Sequence, residues 1–205
     1  MVMSSRVARA QLRLRLAGRV IWGASLPCAI VMALGSCGAP DFLQDPLERA
    51  KVAALGPEDP AIPVGPLHRA GQPCAVCHRA GGLASPHTAS GTVYRDPLAR
   101  IAVADVAVTL RDASGRTFTT KTNCAGSFYV KDTEFAPTYP LWVSVQLGEF
   151  PWEMSSPIHR EASCAACHVD PAGPTSAGHV FLTNDDTMFA TIPLRPCMAQ
   201  DSVSR

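Results

Sequence analysis

Apolar and polar positions alternate most regularly in the middle of the 205-residue chain. Val106, Val108 and Leu110 alternate with Ala107, Thr109 and Arg111, the period of two that gives a strand one apolar face. Asp112-Ala113-Ser114-Gly115 reads as a turn, and Arg116 to Thr122 is threonine-rich and extended. Asn123-Cys124-Ala125-Gly126 reverses the chain, and Phe128 with Val130 then face one side of the next strand. Val143, Val145 and Leu147 repeat the alternation after Pro140. Short strands at this spacing predict a mainly β fold, a small antiparallel β-sandwich over residues 90–150. Val180-Phe181-Leu182, with a turn after it, predicts one further edge strand before a short tail.

The first 36 residues have a different texture. Arg6, Arg9, Arg13, Arg15 and Arg19 stand without an acidic residue and precede an apolar run from Val20 to Leu34, which reads as an export signal. The run is 15 residues long and interrupted by Gly23, Ser25 and Pro27, whereas a spanning helix needs about 20. Leu34-Gly35-Ser36-Cys37 resembles the lipobox of bacterial lipoproteins. That resemblance implies cleavage before Cys37 and acylation of its thiol, which holds a protein on a membrane without a spanning helix. Gly38 after the cysteine resembles the outer-membrane form of such signals. An ordinary signal peptide that happens to end near a cysteine is the plainer alternative. Residues 37–63 are rich in Pro and Ala and read as a tether with one helical stretch, Pro46 to Leu55.

Loss of the leader changes the charge. The whole chain carries a net +1, but without the five leader arginines thirteen basic residues face seventeen acidic ones. No basic stripe is left for nucleic acid. A mildly acidic surface suits a soluble periplasmic face and a basic redox partner.

The chemistry is concentrated in a five-residue pattern that occurs twice, Cys74-Ala75-Val76-Cys77-His78 and Cys164-Ala165-Ala166-Cys167-His168. In CxxCH, two thiols one helical turn apart form thioethers with haem vinyl groups and the adjacent imidazole ligates the iron. The flanks repeat as well: Pro66-Leu67-His68-Arg69 precedes the first motif and Pro157-Ile158-His159-Arg160 the second, with His87 and His179 downstream. This predicts two haem c groups, one in segment 64–89 and one in segment 151–205. Cys74, Cys77, Cys164 and Cys167 would form the thioethers, and His78 and His168 would be the proximal ligands. His68, His87, His159 and His179 are candidates for the two distal positions, so bis-histidine ligation, low potential and low-spin iron are expected. The matched His-Arg context favours His68 and His159, and His179 is the strongest downstream candidate. Met154 and Met188 are weaker alternatives, since methionine is commonly an adaptable core filler.

Cysteine usage closes on this reading. Cys28 leaves with the signal, Cys37 takes lipid and four thiols take haem, which leaves Cys124 and Cys197. Export puts them where disulfides persist, and a disulfide between them is weighed against two free, buried thiols.

Gly91-Thr92-Val93, Val106 to Leu110 and Thr122-Asn123-Cys124-Ala125-Gly126-Ser127-Phe128 resemble the carboxypeptidase regulatory-like, transthyretin-like β-sandwich family over roughly sixty residues. The resemblance implies a module that binds, stiffens or spaces, with no catalytic residues. Together the features describe a di-haem c-type cytochrome lipoprotein that relays electrons to other redox proteins of the bacterial cell envelope, in the periplasm or on the outer membrane, and is not an enzyme. Two rivals follow from the same motifs. In one, the sandwich is an interaction module and the cysteine pairs hold zinc. In the other, the chain is a di-haem peroxidase, for which it is short and its sandwich foreign.

Overall fold

The computed structural model describes residues 45–60, 62, 64–198 and 201. The expected export signal, with Cys28, and the expected lipidation site Cys37 lie outside the described residues. Helix α1 spans Pro46–Ala54, and a one-turn helix α2 spans Asp186–Phe189. Seven strands lie between them: β1 His87–Tyr94, β2 Ala107–Arg111, β3 Thr117–Lys121, β4 Ser127–Lys131, β5 Trp142–Leu147, β6 Phe150–Glu153 and β7 Val180–Phe181. Among the described residues no helix is long and apolar enough to cross a membrane.

The strands form a three-stranded sheet in the order β4-β1-β7 and a four-stranded sheet in the order β3-β2-β5-β6. Both contribute to one core: Ala89, Val93, Phe128 and Val130 from the first, Val108, Leu110, Val143 and Val145 from the second. The alternation legible in the sequence sets these faces, because successive side chains of a strand point to opposite sides. Fourteen buried residues form the cluster, including Val103, Val106, Leu141, Leu182 and Ile192 from the connections. The result is mainly β, two sheets around a shared core.

The structure departs from the expected sandwich in three places. The longest strand, β1, starts at His87, inside the segment assigned to the first motif. Its small and polar residues give no alternation, because seven of its eight positions are buried and both faces are covered. Strand β6 carries the four-stranded sheet past residue 150. The sheet is also not wholly antiparallel, since β7 pairs with β1 in parallel, Val93 opposite Val180 and Tyr94 opposite Phe181.

The helix expected at Pro46 to Leu55 is present, with the Asp45 carboxylate accepting from the Leu47 amide and Pro46 in the first turn. It does not hang free as a tether. Glu48 meets Arg79 at 2.5 Å, and the Arg69 guanidinium and the Gln72 amide donate to the carbonyls of Leu55 and Gly56 that end the helix. Residues 45–58 are thereby docked on the first motif.

Cys124 and Cys197 are joined in a disulfide. It ties the turn between β3 and β4 to the C-terminal tail, whose hydrogen-bonded turn brings Arg195 onto Asp201.

Candidate cofactor site

The two CxxCH motifs fold alike. Cys74–Val76 and Cys164–Ala166 are single 3-10 turns. In each, the amides of the fourth and fifth residues donate to the carbonyl of the first, at 3.1 and 2.8 Å in both motifs. Each pair of cysteines thus sits on one tight turn with the histidine closing it.

The motif histidines are oriented in the same way. His78 Nδ1 donates to the Ser85 carbonyl at 2.9 Å, and His168 Nδ1 to the Gly178 carbonyl at 2.8 Å. A carbonyl only accepts, so the proton sits on Nδ1 and Nε2 keeps its lone pair. No partner for either Nε2 exists among the described residues. A backbone acceptor on one ring nitrogen is the arrangement that fixes tautomer and direction for a metal-binding imidazole.

Strand β1 stands between the turns. Ser90 and Gly91, as neighbours in the strand, address opposite faces. The Ser90 hydroxyl faces the Cys74 sulfur and donates to the Ala162 carbonyl, and Ser90 bridges Ser163 in parallel. On the other face, a β-carbon placed at Gly91 would lie 2.7 Å from Cys164 Sγ and 3.1 Å from Phe128 Cε1. Gly91 therefore makes room for the second motif's first sulfur. Burial raises the thiol pKa of Cys74 and Cys77 and pushes that of Cys164 up to about 12. Such thiols are protonated at neutral pH, the opposite of what a thioredoxin-like pair requires.

Each turn opens on a cleft. The first, about 410 Å³, is lined by Cys74, Cys77, His68, His78, His87 and Tyr129 among others, with Leu55 after α1 at one side. The second, about 390 Å³, is lined by Cys164, Cys167, His168, His159, Met154 and Ile158 among others. Both are mainly apolar, and Phe128 lines both.

The candidate distal histidines separate into distinct environments. His68 Nδ1 bonds to the Gly65 carbonyl, and its ring centre lies 5.9 Å from that of His78. His87 stacks on His78 at 4.0 Å with 13° between the planes, and on Tyr129 at 5.1 Å. Its buried Nδ1 has no partner among the described residues, and burial lowers its pKa to about 4, with the neighbouring His78 and His68 adding to the effect. His159 is exposed on the rim of the second cleft. His179 is buried and engaged at both nitrogens, Nδ1 with the Asp170 carboxylate at 2.8 Å and Nε2 with the Asp96 carbonyl at 2.7 Å. As placed, it offers no lone pair to a metal. Asp170, held also by Arg100, has its pKa lowered to about 2 by the His179 hydrogen bond.

Of the methionines, Met154 packs against the core beside the second cleft and Met188 Sδ accepts from the Thr183 hydroxyl. Sequence reasoning missed Ser90, Gly91, Phe128 and Tyr129. A Gly between small polar residues in a strand was the available signal of close approach.

The donor set suits a planar tetrapyrrole better than a bare ion. Haem iron takes four nitrogens from its own ring and needs only one or two from protein, and each cleft offers an oriented imidazole beside two thiols. Among the described residues, no three His, Cys, Asp or Glu side chains stand close enough to hold a metal ion between them. A four-cysteine zinc centre is thus not assembled. No protein-family profile matches this chain, and no curated protein or solved structure resembles it closely enough to count as a match.

Proposed function

We propose that the chain is an exported c-type cytochrome that carries two haems, one bonded to Cys74 and Cys77 and one to Cys164 and Cys167, and passes electrons between redox partners of the bacterial cell envelope. One observation carries the reading: both CxxCH turns present a motif histidine whose Nδ1 is held by a backbone carbonyl and whose Nε2 is free at an apolar cleft. A haem bound there supplies reversible one-electron chemistry at iron. The chain's own contribution is to fix the two imidazoles, exclude water with Phe128, Leu55 and Ile158, and hold the two sites on either face of one strand. Arg69 and Lys131 on the lining of the first cleft match the carboxylate side of such a group. Acylation of Cys37 would keep the protein at a membrane surface.

The test is direct. The chain, expressed in a host that attaches haem c, is expected to be red and to keep its colour through acid-acetone extraction. Intact mass should give the polypeptide from Cys37 plus two haems and an acyl modification. A colourless protein with stoichiometric zinc would replace this reading with that of an interaction module.

A further inference from the structure

Resting on the reading above, we infer that His68 is the second axial ligand of the haem held at the first motif, and that the docked segment 45–58 is the brace that presents it.

The geometry selects His68 over His87. Two imidazoles on opposite faces of one iron, each about 2 Å from it, hold their ring centres about 6 Å apart. His68 and His78 stand at 5.9 Å, and both have Nδ1 committed to a carbonyl, so both offer Nε2. His87 lies flat on His78 at 4.0 Å, which leaves no room for a metal between the rings. It belongs on the same side as His78, in a stack of His78, His87 and Tyr129 that holds the proximal ring in place.

The backbone beside His68 is strained, and the strain is held by the brace. Arg69 has a φ of +53°, a left-handed conformation that is unfavourable for a non-glycine residue and persists only where surroundings enforce it. The Arg69 guanidinium donates to the Glu58 carboxylate at 3.0 Å, to the Gly56 carbonyl from both terminal nitrogens at 3.1 Å and to the Gln72 amide oxygen at 2.9 Å. Of the residues that receive it, Gly56 and Glu58 follow α1, and α1 is itself anchored by Glu48 to Arg79, next to His78. Helix, arginine and motif turn thus form a closed loop of contacts around the cleft, with His68 at its mouth.

His68 is a ligand in this assignment, whereas Arg69 and His87 are positioning residues. The holoprotein tests it by electron paramagnetic resonance and visible absorption. His68→Ala is expected to convert one of the two haems from low to high spin, and added imidazole to reverse the change. His87→Ala is expected to leave it low-spin. Arg69→Ala should show a partial high-spin fraction that imidazole also removes. His68→Met, which keeps a sixth ligand, should raise one of two potentials and leave the other in place. A low-spin His68→Ala, a high-spin His87→Ala or unchanged potentials in His68→Met would overturn the ligand assignment, and a fully low-spin Arg69→Ala would overturn the brace. Absence of covalent haem from the wild type overturns the earlier reading instead, so the two failures are distinct.

Discussion

At the scale of single residues, two positions outside the CxxCH motifs, Gly91 and Asp112, hold distinct parts of the molecule in place. Gly91 leaves space that a side chain would fill: a β-carbon there meets the Cys164 sulfur at 2.7 Å and Phe128 at 3.1 Å. Gly91→Ala is expected to cost about 1–3 kcal/mol through overpacking and to lower occupancy of the second motif selectively. Thermal unfolding and intact mass check both effects. Asp112, fully buried, accepts from the amides of Ser114, Arg116 and Thr138, the Ser114 hydroxyl and the Arg116 guanidinium. These donors hold its carboxyl well below the usual range, the Ser114 hydroxyl most of all. The unfolded chain therefore takes up this proton first. The stability it contributes is complete above about pH 4 and is shed as pH falls toward the folded value. Asp112→Asn should melt below wild type at neutral pH, with the gap closing in acid; a gap independent of pH would refute the assignment. The Asp112-to-Gly115 turn was legible in the sequence, because Asp, Ser and Gly at those positions satisfy a turn locally. The role of Gly91 was not, since it depends on a cysteine 73 positions away that only folding brings near.

At the scale of elements, local periodicity located β2, β4 and β5, whose buried positions alternate, and threonine-rich composition between two turns located β3, which alternates only between exposed and half-buried. It failed on β1, because a strand covered on both faces carries no period-two signal and its covering is built from turns 20 to 70 residues distant. The helix at Pro46–Ala54 was found, but not its docking, which rests on the guanidinium of Arg69 rather than on an apolar stripe. Strand β7 is held to β1 by two residue pairs only, and the buried His179 bridges the Asp170 carboxylate to the Asp96 carbonyl beside it. Asp170→Asn is expected to loosen this edge, seen as faster amide exchange at Val180 to Leu182, while leaving the spin state of both proposed haems unchanged. A change of spin state in that variant would put His179 back among the ligands. The disulfide closes a loop of 73 residues. Its removal in a Cys124→Ser, Cys197→Ser protein should cost about 4 kcal/mol on the chain-entropy estimate, measured by denaturant titration against the oxidised form.

At the scale of the whole molecule, the CxxCH turns are one structure written twice, and the strand they share makes their neighbourhoods unequal. The first is bordered by Leu55 after α1 and carries three imidazoles; the second carries two, with His159 exposed on its rim. Two well-separated reduction midpoints are therefore expected in a spectroelectrochemical titration, the lower from the first site, and a single midpoint would count against the proposal. Cys37→Ser should move the mature protein from the membrane fraction to the soluble one. Parallel pairing of β7 with β1 has a further consequence. A chain is made amino end first, so β1 is complete long before its second neighbour. Throughout that interval one row of its amides and carbonyls stands open to any passing strand. Only the arrival of the last quarter of the polypeptide seals it, which makes carboxy-terminal truncation a route to aggregation even where every cysteine of both motifs is retained.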